Sequence, residues 1–143
     1  MEPHLPDLER DVAERPDDAP ALVRLANAYW MTGRGPETVH DLASRAIAAD
    51  PGNRGAWHLW AISEPSPRER VARWRQVVDR FPADQLARAN LADNAASLAG
   101  AEMDEEALNL AIATYEQLLA MAQTPEQRTA CNRALEILRG WDG

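Results

Sequence analysis

The chain has 143 residues, which is enough for one domain with a sizeable apolar core. Its 23 acidic residues outnumber its 15 basic ones, and the resulting net charge of -8 excludes a general nucleic-acid binder, because such a protein needs a positive surface. The single cysteine, Cys131, excludes both an internal disulfide and a cysteine-based zinc site.

The N-terminal sequence and the most apolar window predict the cellular location of the protein. The start, MEPHLPDLERD, is acidic and has no apolar run, so we expect no signal peptide. The window 107–122 is interrupted by Asn109, Glu116 and Gln117, so no segment is expected to span a membrane. We therefore expect a soluble, cytoplasmic protein.

The first half of the chain is predicted to form four helices, because its apolar residues recur every three or four positions and nowhere alternate as in a strand. We expect a short helix over about 3–14 and a second one, capped by Asp18, that stops at Gly33. A third helix begins at Pro36, and Asn53 caps a fourth. The side chains predicted to face inward are Leu5, Leu8, Val12, Leu22, Leu25, Ala26, Tyr29, Trp30, Val39, Leu42, Ala43, Ala46, Ile47, Trp57, Trp60 and Ala61.

Four more helices are predicted in the second half. Ser66–Glu69 and Thr124–Gln127 each fit a capping box, in which a hydroxyl oxygen and a side chain three residues later satisfy each other's backbone N–H groups. Asp84 and Asp104 are placed to cap the two helices between them. The side chains predicted on the apolar stripes are Val71, Trp74, Val77, Val78, Phe81, Leu86, Leu91, Ala92, Ala95, Leu98, Leu108, Ala111, Ile112, Tyr115, Leu118, Leu119, Cys131, Ala134, Leu135 and Leu138.

Glycine is predicted to end two of these helices. Gly100 is expected to stop the sixth helix, and Gly140, in the left-handed conformation, is expected to close the last. The fold class that follows is all-α, with about eight helices joined by short turns.

Three of the turns recur at a regular interval. Pro16, Pro51 and Pro82 lie 35 and 31 residues apart. Helix pairs with a period of about 34 residues indicate a solenoid, in which no single unit can bury its apolar face. The chain therefore resembles the tetratricopeptide repeat (TPR) family, and this resemblance implies a right-handed superhelical array of antiparallel helix pairs.

The first complete unit matches the family pattern best. Leu22, Leu25, Ala26 and Tyr29 occupy the family's large, leucine, small and aromatic positions, whereas Arg70 in the second unit stands where the family has a small residue. The resemblance implies a single domain, 1–143, made of an N-terminal helix at 1–15, repeats at 16–51, 52–82 and 83–123, and a capping helix at 124–143.

No constellation of catalytic or metal-binding residues is visible in the sequence. His4, His40 and His58 are the only histidines, and none has a second ligand at helical spacing. Ser63 and Ser66 lack a context that would activate a nucleophile, and no glycine-rich loop follows a strand. We therefore predict a protein that is not an enzyme and that needs no cofactor or metal.

The resemblance implies a concave groove that holds an extended peptide or a helix of a partner protein. Asn27 matches an asparagine with which some relatives hold a peptide backbone or terminal carboxylate. Val23 and Ala89, however, stand where relatives have the basic residues of a carboxylate clamp, which argues against an acidic tail as the ligand. The net charge of -8 favours a neutral or basic partner. The implied groove residues are Val23, Asn27, Trp30, His58, Ile62, Ala89, Asp93 and Ser97.

The segment SPRERVARWRQVVDR, 66–80, is unusually basic for this chain. A solvated outer helix explains it simply, and the alternative is an anion-binding or docking patch formed by Arg68, Arg70, Arg73 and Arg75. The target of such a patch includes the protein's own acidic run at 102–106, which otherwise is a helix start favoured by the helix dipole.

The five tryptophans leave a second question open. Trp57, Trp60 and Trp74 are predicted to be structural wedges between helices, whereas Trp30 fits core packing and partner contact equally well. Trp141, beyond the predicted end of the last helix, either folds back over that helix or stands exposed.

The alternatives to an interaction module are a structural subunit that forms a homodimer or joins a larger complex, and a helical protein that binds a small ligand or acts as an enzyme.

Overall fold

A computed structural model describes residues 4–141 of the chain. Within this range the structure contains eight α-helices and no β-strand, which confirms the predicted all-α fold class. The predicted first helix begins at Leu5, and residue 3 lies outside the described range. The bounds are α1 Leu5–Glu14, α2 Ala19–Met31, α3 Pro36–Ala49, α4 Arg54–Ile62, α5 Pro67–Arg80, α6 Gln85–Glu102, α7 Glu105–Met121 and α8 Pro125–Trp141.

The helices form two compact units, Met1–Ser66 and Pro67–Gly143, called unit 1 and unit 2 below. In unit 1, α2 packs against α1, α3 and α4, and α3 also packs against α4. In unit 2, α6 packs against α5 and α7, and α7 packs against α8. Helices that are joined by short turns and pack on each other form helical hairpins, so each unit is a series of such pairs.

Side-chain caps hold three of the helix starts, as predicted. Asn53, Asp84 and Asp104 each accept a hydrogen bond, 3.1 Å long, from the backbone N–H three residues later. Asp18 also stands at an N-cap position, but its side chain makes no cap hydrogen bond, so that prediction was wrong. Its carboxylate lies 3.6 Å from the guanidinium of Arg15 instead, and this ion pair competes with the cap.

The capping box predicted for the start of α8 is present in full. The backbone N–H of Gln127 donates to the hydroxyl of Thr124 over 3.1 Å, and the backbone N–H of Thr124 donates to Gln127 Oε1 over 3.2 Å. Two donors that the helix itself leaves unsatisfied are paired in this way. Short-range sequence information was therefore sufficient to place this helix start.

Only one of the three glycine stops behaves as predicted. Gly33, with φ of 78°, follows the end of α2 by two residues. Gly100 instead lies inside α6, which continues to Glu102, and Gly140 lies inside α8, which continues to Trp141. A glycine inside a helix costs only about 1 kcal/mol relative to alanine, so it does not by itself end the helix, and the packing of α6 and α8 outweighs this cost.

Each unit has its own buried apolar residues. In unit 1 the buried set contains most of the predicted stripe residues of α1 to α3, and Trp30 packs against it while remaining partly exposed. In α4 the buried residues are Ala56, Leu59 and Ala61, whereas Trp57 and Trp60, which were predicted to face inward, are only half-buried. In unit 2, Trp74 is the largest fully buried side chain. Leu86 was assigned to the stripe of α6 but is exposed. It lies five residues before Leu91, which is about 140° around the helix at 100° per residue.

Candidate interaction surfaces

Helices α2 and α4 lie side by side in unit 1, and five of the predicted groove residues are on this pair. The contact is close at Gly55 of α4, where an added Cβ atom would lie 3.4 Å from Val23 Cγ1 on α2. Val23 therefore lies close to the backbone of Gly55, so the two helices are in contact at this point.

The predicted residues on α2 and α4 differ in their exposure. Asn27 is exposed on α2, and Ile62 is exposed at the end of α4. Val23, Trp30 and His58 are half-buried. The side chain of Asn27 makes no hydrogen bond with any residue of the described range, so both its amide donor and its carbonyl acceptor face solvent.

Trp30, for which the sequence left core packing and partner contact open, is only partly buried. Part of its ring system packs against the buried residues of unit 1, and the remainder is exposed. The next residue, Met31, is a largely exposed apolar side chain at the end of the same helix. An aromatic ring that is held by the core on one side and open on the other is pre-organised for contact with a partner.

The other three predicted groove residues lie on α6 in unit 2, at intervals of four residues. Ala89 is half-buried, and Asp93 and Ser97 are exposed. Asp93 already has a partner, since the hydroxyl of Tyr115 on α7 donates a hydrogen bond to its Oδ1 atom. Burial raises the pKa of Tyr115, and the bond to Asp93 and the negative charge of Asp93 raise it further. Of these three residues, Asp93 is thus the one that is held in place from a second helix.

The first arginine of the basic segment is paired with the chain's own acidic run. Arg68 Nη2 lies 2.9 Å from Asp104 Oδ2 and 3.3 Å from Glu102 Oε1. The hydrogen bonds to these two carboxylates raise the pKa of Arg68. The pKa of Asp104 is held below its usual value, mainly by the hydrogen bond from the backbone N–H of Ala107 and next by the hydrogen bond from Arg68. The N-terminus of α5 and the α6–α7 turn are connected by these ion pairs.

Of the other three arginines of the proposed patch, Arg75 lines one surface depression of unit 2 together with Arg68, whereas Arg70 and Arg73 do not. Arg70 is half-buried, and its Nε atom donates to Asn94 Oδ1 on α6 over 2.8 Å. Arg73 is half-buried as well, whereas Arg75 is exposed. Because Arg68 and Arg70 are engaged within unit 2, less of the segment's positive charge faces a partner than the sequence suggests. A docking patch on α5 stays a prediction.

The depressed pKa of Asp104 makes stability depend on pH. Ionised Asp104 stabilises the folded chain above the usual aspartate pKa of about 4, and this contribution is lost as the pH falls through the lower pKa of the folded state. In Asp104→Asn, which retains an acceptor for the cap, we expect the free energy of unfolding to fall less steeply below about pH 4 than in the parent. Urea unfolding followed by circular dichroism at a series of pH values measures this, and Glu105→Gln is the control. Parallel curves for Asp104→Asn and the parent would contradict it.

One surface feature was missed by the sequence analysis. In unit 2 a notch with a volume of about 450 Å³ lies between the C-terminal ends of α6 and α8 and the start of α7. Met103 and Trp141 are its exposed apolar side chains. A large apolar residue inside the acidic run Glu102-Met103-Asp104-Glu105 is the sequence signal that could have indicated it. Trp141 was predicted to lie beyond the end of the last helix, but it is the last residue of α8.

Three further observations on residues 4–141 concern metal binding, the cysteine and membrane spans. No three histidine, cysteine, aspartate or glutamate side chains of this range are arranged to hold a metal ion. Cys131 is buried on α8, and burial raises the pKa of its thiol, which makes it a poorer nucleophile. None of the helices described is both long enough and apolar enough to cross a membrane.

No protein-family model, curated protein or solved structure matches this chain. The packing of α2 on α4 and the exposed side chains of the two units are therefore the observations on which a functional proposal rests.

Proposed function

We propose that the chain is a non-catalytic protein-interaction module that holds a peptide or a helix of a partner protein. In this proposal the helix pairs continue as a right-handed, TPR-like superhelical array, with repeats at 16–51, 52–82 and 83–123. The observation that carries the proposal is the packing of α2 against α4 in addition to α3. Direct contact between alternate helices is what a two-layered array of helix pairs requires, and it produces a continuous face for a ligand.

The chemistry of this face favours recognition of an extended or helical segment. Trp30 offers a half-buried aromatic surface, and Met31 and Ile62 add exposed apolar area at the helix ends. Asn27 supplies an amide NH₂ group that donates and a carbonyl oxygen that accepts, which together can pair with the N–H and C=O groups of a peptide backbone. With a net charge of -8, the protein favours a partner that is neutral or basic.

The test begins with capture of the partner from native lysate and continues with binding measurements on variants. Trp30→Ala is expected to weaken binding by about 2 kcal/mol or more, because aromatic anchors dominate interfaces, and Asn27→Ala by a smaller amount. Arg75→Ala, an exposed residue of α5, serves as the control and should bind like the parent. Circular dichroism must first show that each variant folds.

Two results would reject this function. If Trp30→Ala and Asn27→Ala bind the partner normally while Arg75→Ala fails, the binding site lies on α5 and the groove assignment is wrong. If light scattering across a concentration series shows a stable homodimer that Trp30→Ala dissociates, the face on α2 and α4 serves self-assembly. The structural-subunit alternative would then replace the interaction module.

A further inference from the structure

We propose that the notch at the ends of α6 and α8 is a second recognition site, which takes a large apolar side chain flanked by lysine or arginine on a partner segment. All of its residues belong to unit 2, so the inference does not depend on the face formed by α2 and α4. Its shape, its exposed apolar side chains and its charge each support this assignment.

The shape of the notch suits one or two large side chains. Its volume of about 450 Å³ lies within the range of roughly 300–1,000 Å³ that is usual for ligand pockets. Ala99 and Leu108 form a buried apolar floor. The ring of Trp141 lies over Gly100, where an added Cβ atom would be 3.4 Å from the Trp141 Cη2 atom. The indole ring of Trp141 therefore lies close to α6 at Gly100.

The walls of the notch are apolar side chains that the fold leaves in solvent. Met103 is 89% exposed, more than any other large apolar side chain described, and Trp141 is 53% exposed. Tryptophan and methionine are enriched at protein interfaces, where tryptophan gives rigid contact area and methionine adapts to different shapes. Met103 also adopts a left-handed backbone conformation, with φ of 54°, which side chains rarely tolerate. This conformation places a methionine, instead of the usual glycine, at the mouth of the notch.

The charge around the notch determines the kind of side chain that flanks the apolar anchor. Asp104 and Glu105 line the notch, and Glu102 precedes Met103 in sequence. Arg68 already neutralises part of the charge on Glu102 and Asp104. Glu105 makes no ion pair with any residue that the structure describes. A cationic side chain beside the apolar anchor gains attraction here, whereas an acidic one is repelled.

The same charges argue against a second copy of this chain as the occupant. A symmetric dimer formed through the notch would place the acidic rim of one copy against the acidic rim of the other. The net charge of -8 on each copy adds to that repulsion. The occupant that fits is therefore a basic segment of a different protein.

An NMR titration tests this proposal directly. The probe is a capped peptide with one central leucine, two arginines on each side and a glycine at each end, added to the full chain labelled with ¹⁵N. We expect saturable shifts at the Gly100 amide and at the Trp141 indole N–H. A peptide with alanine in place of leucine, and one with glutamate in place of arginine, should each bind about tenfold or more weakly.

Matched variants separate the notch from general electrostatic attraction. Trp141→Ala removes a wall, and Glu105→Arg reverses a charge on the rim. Each is expected to weaken binding by about tenfold or more. Glu106→Arg is the control, because Glu106 is exposed in the same first turn of α7 but does not line the notch. It makes the same change in net charge and in the charge at the helix start as Glu105→Arg.

Several outcomes would overturn the inference. The site would be wrong if Glu106→Arg weakened binding as much as Glu105→Arg, if Trp141→Ala bound like the parent, or if no saturable shifts appeared. Shifts centred on Asn27 and Trp30 would assign the peptide to the face of α2 and α4 instead. Shifts at Gly100 and Trp141 that grow with protein concentration in the absence of peptide would identify a second copy as the occupant.

Discussion

Replacing Trp74 by alanine is expected to lower the free energy of unfolding by about 3–5 kcal/mol. Trp74 is only 1% exposed and is the largest fully buried side chain of the described residues. Truncation to alanine removes the apolar area of the indole and leaves a cavity that close-packed neighbours cannot fill completely. The sequence analysis assigned this residue to a structural role, and its burial supports that role.

Urea unfolding followed by circular dichroism measures the effect of Trp74→Ala, with the same substitution at two other tryptophans as controls. Trp57 is half-buried, contacts Trp60 edge-on with ring centroids 5.5 Å apart and donates from its indole N–H to the carbonyl of Pro51. Trp57→Ala is therefore expected to cost less than Trp74→Ala. Trp141 is mostly exposed, so Trp141→Ala should cost least. If Trp74→Ala unfolded at the same urea concentration as the parent, its structural role would be refuted.

Leu22→Ala is expected to have the second largest effect, a loss of about 2–5 kcal/mol in the free energy of unfolding. Leu22 is 0% exposed on α2 and belongs to the buried residues of unit 1. The spread of the estimate reflects how far the surrounding side chains can close around the cavity. Because α2 packs against α1, α3 and α4, little room for such relaxation is expected.

Met31→Ala on the same helix is the matched control for Leu22→Ala. Met31 is 76% exposed at the end of α2, so its truncation should change the free energy of unfolding by less than about 0.5 kcal/mol. Both variants truncate a large apolar side chain of α2 to alanine, so they differ mainly in how deeply the original side chain is buried. Equal losses in the two variants would show that α2 does not bury the face that the structure assigns to it.

The same helix that supplies the core of unit 1 also supplies the proposed binding face. Leu22, Leu25 and Ala26 face the core of unit 1, whereas Asn27 lies on the exposed side of α2 and Trp30 at the boundary between the two. Asn27 is exposed, whereas Trp30 packs against the core and also lies on the proposed binding face. A binding defect in Trp30→Ala is thus meaningful only beside its measured stability, and Asn27→Ala provides the cleaner test of recognition.

Local sequence signals were sufficient for most of the secondary structure. The apolar spacing predicted eight helices, and the short polar side chains of Asn53, Asp84 and Asp104 predicted three of the starts. These signals succeed because a helix and its cap depend on residues only three or four positions apart. The predicted cap by Asp18 was wrong, because its carboxylate pairs with Arg15 and makes no cap hydrogen bond.

The groove residues could be placed on helices from the sequence, but the contacts that each side chain makes could not be predicted. The resemblance to the repeat family put Asn27 on α2 and Asp93 on α6 among the groove residues, and both are exposed. It could not show that Tyr115 donates a hydrogen bond to Asp93, because that contact joins two helices and depends on how they pack. The pairing of Arg70 with Asn94 is of the same kind.

By itself, the sequence determined that this chain is all-helical and acidic and where most of its helices begin, since these properties depend on composition and on neighbours within one turn. Only the tertiary structure decided that Arg68 pairs with Glu102 and Asp104, which lie 34 and 36 residues away. It also decided that α6 continues through Gly100 and that Trp141 covers that glycine, so that a notch forms beside Met103. The physical reason is that these features arise from contacts between separate helices, whose energies are comparable to the local preferences they override.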